Sequence, residues 1–347
     1  MYSIKQIHSD FRVVERLTVN LDEEGRFAYY LLKKIGYNTT DAIRRISDAF
    51  QIPEKFINAA GTKDRNAITT QYISISNGPK KCFLCKDIEL TYVGNGKERL
   101  NLGSLSGNYF EIVVRNLAAD HKIIEEPGMI PNYYGEQRFG RSCDNSKIGE
   151  LLLRRKFSDA LALVMESNTR LDLTIDQNPI LQLRKIPKHI LLMYIHSFQS
   201  MLWNHSVSEY LKRHPGQEID GLWYPTGITL PTATRTTAPL IGFGTEFSEE
   251  EGMEKEIGLI SQRMLKEYGL TTRDFAIRQM PEIASEGNTR EIMMDISELA
   301  INHQEPDELN PGMQKRRFSF FLGKGSYATI ALRALLNSAP EQFIRRT

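Results

Sequence analysis

The segment AGTKDRNAITTQ, residues 60–71, places one carboxylate between two cations on a short connection. Asp64 is flanked by Lys63 and Arg65, and it follows a glycine and precedes the strand-like run QYISIS. A carboxylate on a short loop between two strands can be aimed at a substrate, which a carboxylate on a flexible tail cannot. Asp64 is therefore a candidate catalytic group, and a charged residue in a surface turn is the alternative.

The sequence does not indicate a metal, redox or nucleotide site. Cys82 and Cys85 have the C-x-x-C spacing of half a zinc site, but Cys143 is the third and last cysteine, so a second pair is missing. The seven histidines form no HExxH motif. Neither GNGKER (94–99) nor GKGSYAT (323–329) has the order of a phosphate-binding loop, and the first resembles a hairpin turn. We expect no metal and no cofactor, and we expect the paired cysteines to be half-buried strand residues.

Composition and charge leave RNA open as a partner. The chain has 347 residues, 41% hydrophobic and 25% charged, which suits two average domains or one domain with an insertion. Its formal net charge is +1, so total charge indicates no partner. Local charge is segregated: residues 246–256 are acidic, and the residues from 310 onward carry seven cations against one anion. Such segregation can present a basic face to RNA, and two solvated charge runs are the alternative.

Membrane insertion is not indicated. The first residues lack the apolar core of a signal peptide. The aliphatic-aromatic run ILLMYI, residues 190–195, is far shorter than the ~20 residues that cross a bilayer. We expect a soluble, intracellular monomer without a membrane partner, located in the cytoplasm, or in the nucleus if the source is eukaryotic.

Periodicity predicts an α+β protein. Strands are predicted in four segments of the first part: 10–17, 27–36, 71–76 and 109–116. A helix is predicted within 38–53, capped by Thr39 or Thr40. Helical patterns dominate the middle of the chain, at 146–165, 188–214 and 249–268. The end returns to strand, glycine-rich turn and helix, which suggests one discontinuous domain interrupted by an insertion.

Four segments together resemble the TruD family of pseudouridine synthases. They are DFRVVE (10–15), AGTKDRNAITTQ (60–71), NYYGEQRFG (132–140) and GSYATIALRALL (325–336), in the family's order. The resemblance implies a catalytic domain with a mixed, mainly antiparallel sheet and helices, interrupted by a TruD-type insertion domain. We place the first part of the catalytic domain at 1–150, the insertion at 151–300 and the C-terminal part at 301–347.

The resemblance also implies a site. The family's single catalytic aspartate falls on Asp64, and substrate contacts fall on Phe11, Asn132 and Tyr327. Tyr134 stands where the family usually has phenylalanine beside the base, and Tyr327 also replaces a phenylalanine. Both substitutions keep an aromatic ring, which can stack on a flipped base, so we expect activity to survive.

The implied reaction is the isomerisation of uridine to pseudouridine in RNA, with position 13 of tRNA as the expected target. It breaks the N-glycosidic bond, turns the detached uracil and rejoins it through carbon 5. One carboxylate can promote these steps, by attacking the ribose or through a glycal, without metal or cofactor. A non-catalytic RNA-binding or chaperone protein on the same scaffold is the alternative. A metal-dependent nuclease is less favoured, because no cluster of carboxylates and histidines is visible.

Cations near these motifs are candidates for phosphate contacts with RNA. Such contacts position RNA without reading its sequence. Solvated cations on edge strands are the alternative for each of them. The candidates are Lys63, Arg65, Arg138, Arg141, Lys315, Arg316 and Arg317.

Overall fold

A computed structural model describes residues 2–101, 104–140, 143–167, 172–174, 177–226 and 236–340. The described chain divides into two compact units. The first unit contains the residues up to Glu125, Asp295–Ala328 and the residues from Leu335 onward. The second contains Glu126–Met294 and Thr329–Ala334.

The described residues form sixteen strands and seven α-helices. The strands are β1 (Phe11–Leu17), β2 (Phe27–Ile35), β3 (Ile57–Ala59), β4 (Ile68–Ser76), β5 (Phe83–Cys85), β6 (Ile88–Gly96), β7 (Leu105–Leu117), β8 (Ile130–Pro131), β9 (Gly216–Ile219), β10 (Leu222–Pro225), β11 (Thr237–Leu240), β12 (Asn288–Glu291), β13 (Met293–Met294), β14 (Ser297–Ile301), β15 (Glu305–Pro306) and β16 (Gln314–Gly323). The helices are α1 (Thr39–Phe50), α2 (Asn145–Leu153), α3 (Phe157–Ser167), α4 (Pro179–Leu183), α5 (Lys188–Leu211), α6 (Met253–Glu267) and α7 (Ala328–Leu336).

The first unit is built on one ten-stranded sheet. The strand order is β14-β16-β7-β1-β4-β2-β6-β5, with β15 beside β16 and β3 beside β4. Strands β1 and β4 pair in parallel, and the other strand pairs of this sheet are antiparallel. The prediction of an α+β fold with a mixed, mainly antiparallel sheet is therefore confirmed.

Helix α1 packs its apolar face on this sheet. Ala42 and Ile46 lie in one core with Tyr30, Leu32 and Ile73 of the sheet, because apolar residues recur at helical spacing in α1 and at alternate positions in the strands.

The cap of α1 differs from the sequence prediction. Asn38, and not Thr39 or Thr40, caps the helix, with its side chain accepting from the backbone N–H of Asp41 at 2.7 Å. Thr39 is buried and uses its hydroxyl elsewhere.

Two further local predictions are wrong or partly wrong. The GNGK stretch is not a hairpin turn, because β6 continues through Gly94, Asn95 and Gly96 in register with β2. A side chain at Gly96 would overlap the ring of Tyr29, so close packing and not a turn explains this glycine. Cys85 is half-buried as expected, whereas Cys82 is exposed.

The second unit is largely helical around α5, which has 24 residues. Its apolar core joins residues of α2, α3 and α5 with Leu265 of α6. The helix predicted over 146–165 is divided into α2 and α3, with Arg155 between them at a φ of 59°. The predicted insertion, 151–300, falls mostly within this unit, and its boundaries as a family domain stay a prediction. No helix among the described residues has both the length and the apolarity to cross a membrane.

Candidate active site

Asp64 lies on the connection between β3 and β4, residues 60–67, which we call the Asp64 loop. Side chains from neighbouring elements bind the backbone of this loop. The N–H of Lys63 donates to Thr39 Oγ1 at 2.9 Å, and that hydroxyl donates to Gln71 Oε1 at 3.0 Å. Gln71 Nε2 in turn donates to the carbonyl of Gly61 at 3.0 Å. The start of α1 and strand β4 thus fix the first half of the loop.

A buried lysine binds the middle of the same loop. Lys34 of β2 donates from Nζ to the carbonyl oxygens of Lys63 and Asp64, at 3.3 and 3.2 Å. It also donates to the carbonyl of Tyr37 at 2.6 Å. The Asp64 loop is therefore irregular in secondary structure but well supplied with hydrogen bonds.

The carboxylate of Asp64 is paired with a cation and remains reachable. Lys5 Nζ lies 2.7 Å from Asp64 Oδ2, and the Asp64 side chain is 39% exposed. The same ammonium lies 4.1 Å from the ring centroid of Phe11, a cation–π contact. The structure therefore brings together two of the expected site residues, Asp64 and Phe11, through Lys5.

Lys5 is held in a conformation that L-residues rarely adopt. Its φ is 59°, in the left-handed region, which is uncommon for residues other than glycine. The following turn is fixed by Asp10, whose carboxylate accepts from the N–H of Ile7 at 3.1 Å. Asp10 is itself buried against Arg115, whose Nε lies 2.9 Å from Asp10 Oδ1.

Phe11 and Lys63 are both more buried than we expected for residues that contact a base or a phosphate. Phe11 is 4% exposed and packs edge-on against Phe110, so its contact with a base stays a prediction. Lys63 Nζ lies 2.9 Å from Glu15 Oε1, and the two side chains are 9% and 0% exposed. Lys63 is thus committed to a buried ion pair, and we no longer propose it as a phosphate contact.

In the second unit, Asn132 and Tyr134 are both held by Arg290 of β12. Arg290 donates to the backbone oxygen of Asn132 at 2.8 Å and to its Oδ1 at 2.7 Å. Its guanidinium lies 4.0 Å from the ring centroid of Tyr134. Asn204 brackets the Tyr134 backbone, accepting from its N–H at 2.8 Å and donating to its carbonyl at 2.9 Å. Trp203 meets the Tyr134 ring edge-on at 5.8 Å.

The contacts that the structure gives Tyr327 and Arg138 leave their expected roles as predictions. Tyr327 is half-buried at the N-cap position directly before α7, after the turn that follows β16. Arg138 lies 5.3 Å from the ring centroid of Tyr134 and donates to Ser200 Oγ at 3.1 Å.

The remaining cations differ in how far they are engaged. Arg65 is exposed and donates to the carbonyl of Gly36 at 3.2 Å. Lys315 Nζ lies 2.6 Å from Glu308 Oε2, and Arg316 donates to the carbonyl of Asn302. Arg317 is exposed on β16. Arg141 lies outside the described residues. Among the described residues, no group of three or more His, Cys, Asp or Glu is arranged to hold a metal ion.

Sequence reasoning missed three side chains that organise these groups: Lys5, Lys34 and Arg290. Lys5 is 59 positions from Asp64, and Arg290 is 158 positions from Asn132. Lys5 stands near the DFRVVE motif, which is a weak signal. Lys34 interrupts the apolar alternation of β2, and an unexpected lysine on the buried face was the available clue.

Comparison with known proteins places the chain in one family. The family model described as tRNA pseudouridine synthase D (TruD) matches residues 2–173 and 231–335. A probable tRNA pseudouridine synthase D of Methanosarcina mazei is 29% identical, over 98% of this chain and 94% of that protein. The tRNA pseudouridine synthase D of Aquifex aeolicus is 27% identical, over 96% of this chain and 98% of that protein.

A solved structure extends the likeness to the fold. The crystal structure of a TruD protein from Methanosarcina mazei superposes with a TM-score of 0.71 at 26% identity, over 98% of this chain and 94% of that one. The family model spans most of the chain, and it includes three of the four segments on which the resemblance was based and all but the last residue of the fourth. The chain therefore belongs to the TruD family of tRNA pseudouridine synthases.

Proposed function

We propose that this protein isomerises uridine to pseudouridine in tRNA, at position 13, with Asp64 as the catalytic group. The observation that carries the proposal is the ion pair between Lys5 Nζ and Asp64 Oδ2, 2.7 Å apart. Asp64 stands on a loop whose backbone is bound by three side chains, those of Lys34, Thr39 and Gln71. An ammonium at that distance is a partner for an ionised carboxylate. The side chain is exposed enough to meet a flipped nucleotide.

The geometry supports a reaction driven by one preoriented anion. Breaking the bond between uracil N1 and ribose C1′ leaves positive charge on the sugar, which the carboxylate can stabilise or capture covalently. The uracil then turns, C5 bonds to C1′, and the C5 proton is lost while N1 gains one. We assign Phe11, Asn132, Tyr134 and Tyr327 to holding the base and its nucleotide during these steps. Both routes, by ribose attack or through a glycal, start from the ionised form of Asp64.

The test is to map pseudouridine in tRNA after incubation with the purified protein and with Asp64→Asn, each with and without EDTA. The wild type is expected to form pseudouridine at position 13, and Asp64→Asn to lose activity by ~10⁴-fold or more while RNA binding is largely kept. Asp48→Asn, an exposed aspartate of α1, is the matched control and is expected to match the wild type.

Each other outcome would support a different conclusion. Pseudouridine at a different position would retain the chemistry and reject the target. Equal activity of Asp64→Asn would reject Asp64 as the catalytic group. RNA binding without isomerisation by the wild type would favour the RNA-binding alternative, and activity abolished by EDTA would favour a metal-dependent reaction.

A further inference from the structure

Lys34 is a lysine in the interior of the sheet. It is fully buried in β2, between β4 and β6, and its register partners there, Thr69 and Ile88, carry no charge. Its neighbour Lys33 points to the other face and is 52% exposed. Burying an ammonium group is costly unless hydrogen bonds compensate it. A buried lysine here therefore indicates a role that an apolar side chain such as leucine could not perform.

The hydrogen-bond acceptors of Lys34 indicate what this role is. They are the carbonyl oxygens of Tyr37, Lys63 and Asp64, at 2.6, 3.3 and 3.2 Å from Nζ. Two of the three belong to the Asp64 loop, and one is the carbonyl of Asp64 itself. We propose that Lys34 is a positioning residue, which holds Asp64 in its reactive orientation by binding the backbone of its loop. This inference rests on the proposed role of Asp64.

Three convergent carbonyls require the protonated form of Lys34. An ammonium has three donors, whereas the neutral amine has two donors and a lone pair that would face a carbonyl oxygen. On deprotonation the longer contacts, those to Lys63 and Asp64, are the ones expected to open. Loss of the proton should therefore release the loop while the contact to Tyr37 persists.

The surroundings of Lys34 bring its deprotonation into a pH range in which kinetics can be measured. Burial lowers the pKa of Lys34 from 10.5 to about 8, with Asp64 raising it and Lys63 lowering it by their charges. Both of these charged groups are themselves paired, Lys63 with Glu15 and Asp64 with Lys5. Because the folded-state pKa lies below the ordinary value, the folded protein loses this proton first. Between about pH 8 and 10.5 the titration of Lys34 therefore raises the free energy of unfolding as pH increases. A fall in activity in that range would not be caused by the effect of Lys34 on global unfolding.

The kinetic test compares Lys34→Met, Lys34→Gln and the neighbouring control Lys33→Met. Single-turnover rates with saturating tRNA should fall on the order of 10- to 100-fold in Lys34→Met, because a small misplacement of a reacting group has effects of that size. Lys34→Gln should lose less, since its amide can still donate to a carbonyl. Lys33→Met should match the wild type. A wild-type rate in Lys34→Met would overturn the proposal.

The pH profile separates positioning from a general loss of structure. The wild-type rate should decline with a midpoint near pH 8, and neither Lys34 variant should show this decline. Lys33→Met should keep it. An alkaline decline that is identical in the wild type and both Lys34 variants would overturn the proposal, even if their rates were reduced.

Hydrogen–deuterium exchange keeps this result distinct from failure of the proposed function. Amides of residues 60–67 should exchange faster in Lys34→Met than in Lys33→Met, with exchange in β4 and α1 unchanged. This readout needs no RNA, so it holds whether or not the protein modifies tRNA. Equal exchange of the loop in both variants would overturn the proposal. If Lys34→Met does not fold, the same comparison is made with Lys34→Gln.

Discussion

Asp64 and its loop are bound by side chains from neighbouring elements. Its loop is bound by Thr39, Gln71 and Lys34, and its carboxylate is bound by Lys5. Each contact removes freedom that the side chain would otherwise have to lose on reaching the transition state. These contacts are what the catalytic role we propose for Asp64 would require, because they orient the side chain before the substrate arrives.

Lys5 offers the first residue-scale prediction. Lys5→Met removes the cation 2.7 Å from Asp64 and its contact with the ring of Phe11, so the carboxylate loses its fixed direction. The single-turnover rate with saturating tRNA is expected to fall ~100-fold, with KM changed less than the rate. Lys5→Arg should recover part of the rate because it keeps the charge. Lys86→Met, at an exposed lysine, is the control, and an unaltered rate in Lys5→Met would contradict the role.

Motif residues could be identified from sequence, and the residues that orient them could not. Asp64, Asn132 and Tyr134 stand in dense segments whose spacing is informative. Arg290 lies in an ordinary polar run, and its significance appears only when the fold sets its guanidinium against Asn132 and Tyr134. A hydrogen bond between two distant positions leaves no local pattern in a single sequence.

At the scale of elements, a buried network ties the N-terminal segment to the sheet. Arg115 of β7 contacts Asp10 before β1 and Asp307 after β15, at 2.9 and 2.7 Å. Both carboxylates are buried, so each depends on Arg115 and on neighbouring N–H groups for compensation. Because Asp10 also fixes the turn after Lys5, this network supports the element that carries the partner of Asp64.

Asp307 gives the network a measurable pH dependence. Burial opposes its ionisation, but donation from Asn116, Asn310, Leu309 and Arg115 outweighs burial and lowers its pKa from 3.8 to about 2. The folded-state pKa is the lower one, so the stabilisation is complete above about pH 4 and is lost as pH falls through 2. Asp307→Asn should therefore reduce the free energy of unfolding at pH 7 by about 2 kcal/mol.

Urea denaturation of Asp307→Asn at pH 7 and at pH 3 would test this, with exposed Glu305→Gln as the control. The difference from the wild type should shrink at pH 3. A difference that is the same at both values would show that the amide disturbs packing and not the titration.

Element types followed from periodicity, whereas their ends depended on backbone contacts. The break between α2 and α3 shows why. The N–H of Arg155 bonds to the carbonyl of Leu152, and that of Lys156 to Leu151, which is the Schellman arrangement at a helix end. Glycine normally marks such an end, but here Arg155 adopts the left-handed conformation. Without that marker, the sequence indicated one continuous helix.

At the scale of the whole molecule, near-neutrality means that RNA affinity must come from local cations. The formal net charge is +1, and several of the candidate cations are engaged by carboxylates. Lys63 pairs with Glu15 and Lys315 with Glu308, so neither charge is fully available to a phosphate. Sequence could count these charges but could not show which ones were already neutralised.

Arg317 is the candidate best placed to report on RNA binding. It is exposed on β16, and among the described residues it has no carboxylate within ion-pair distance. If it contacts one phosphate, Arg317→Gln should lower the slope of log affinity against log salt by ~0.9. KM for tRNA should rise, while the single-turnover rate with saturating tRNA stays unchanged, because a phosphate contact positions RNA without touching the reacting bond. The affinity can be measured by filter binding at salt concentrations between 50 and 200 mM. Arg278→Gln, at an exposed arginine of the second unit, is the control. An unchanged slope in Arg317→Gln would remove it from the RNA-binding surface and leave Arg65 and Arg138 as the next positions to substitute.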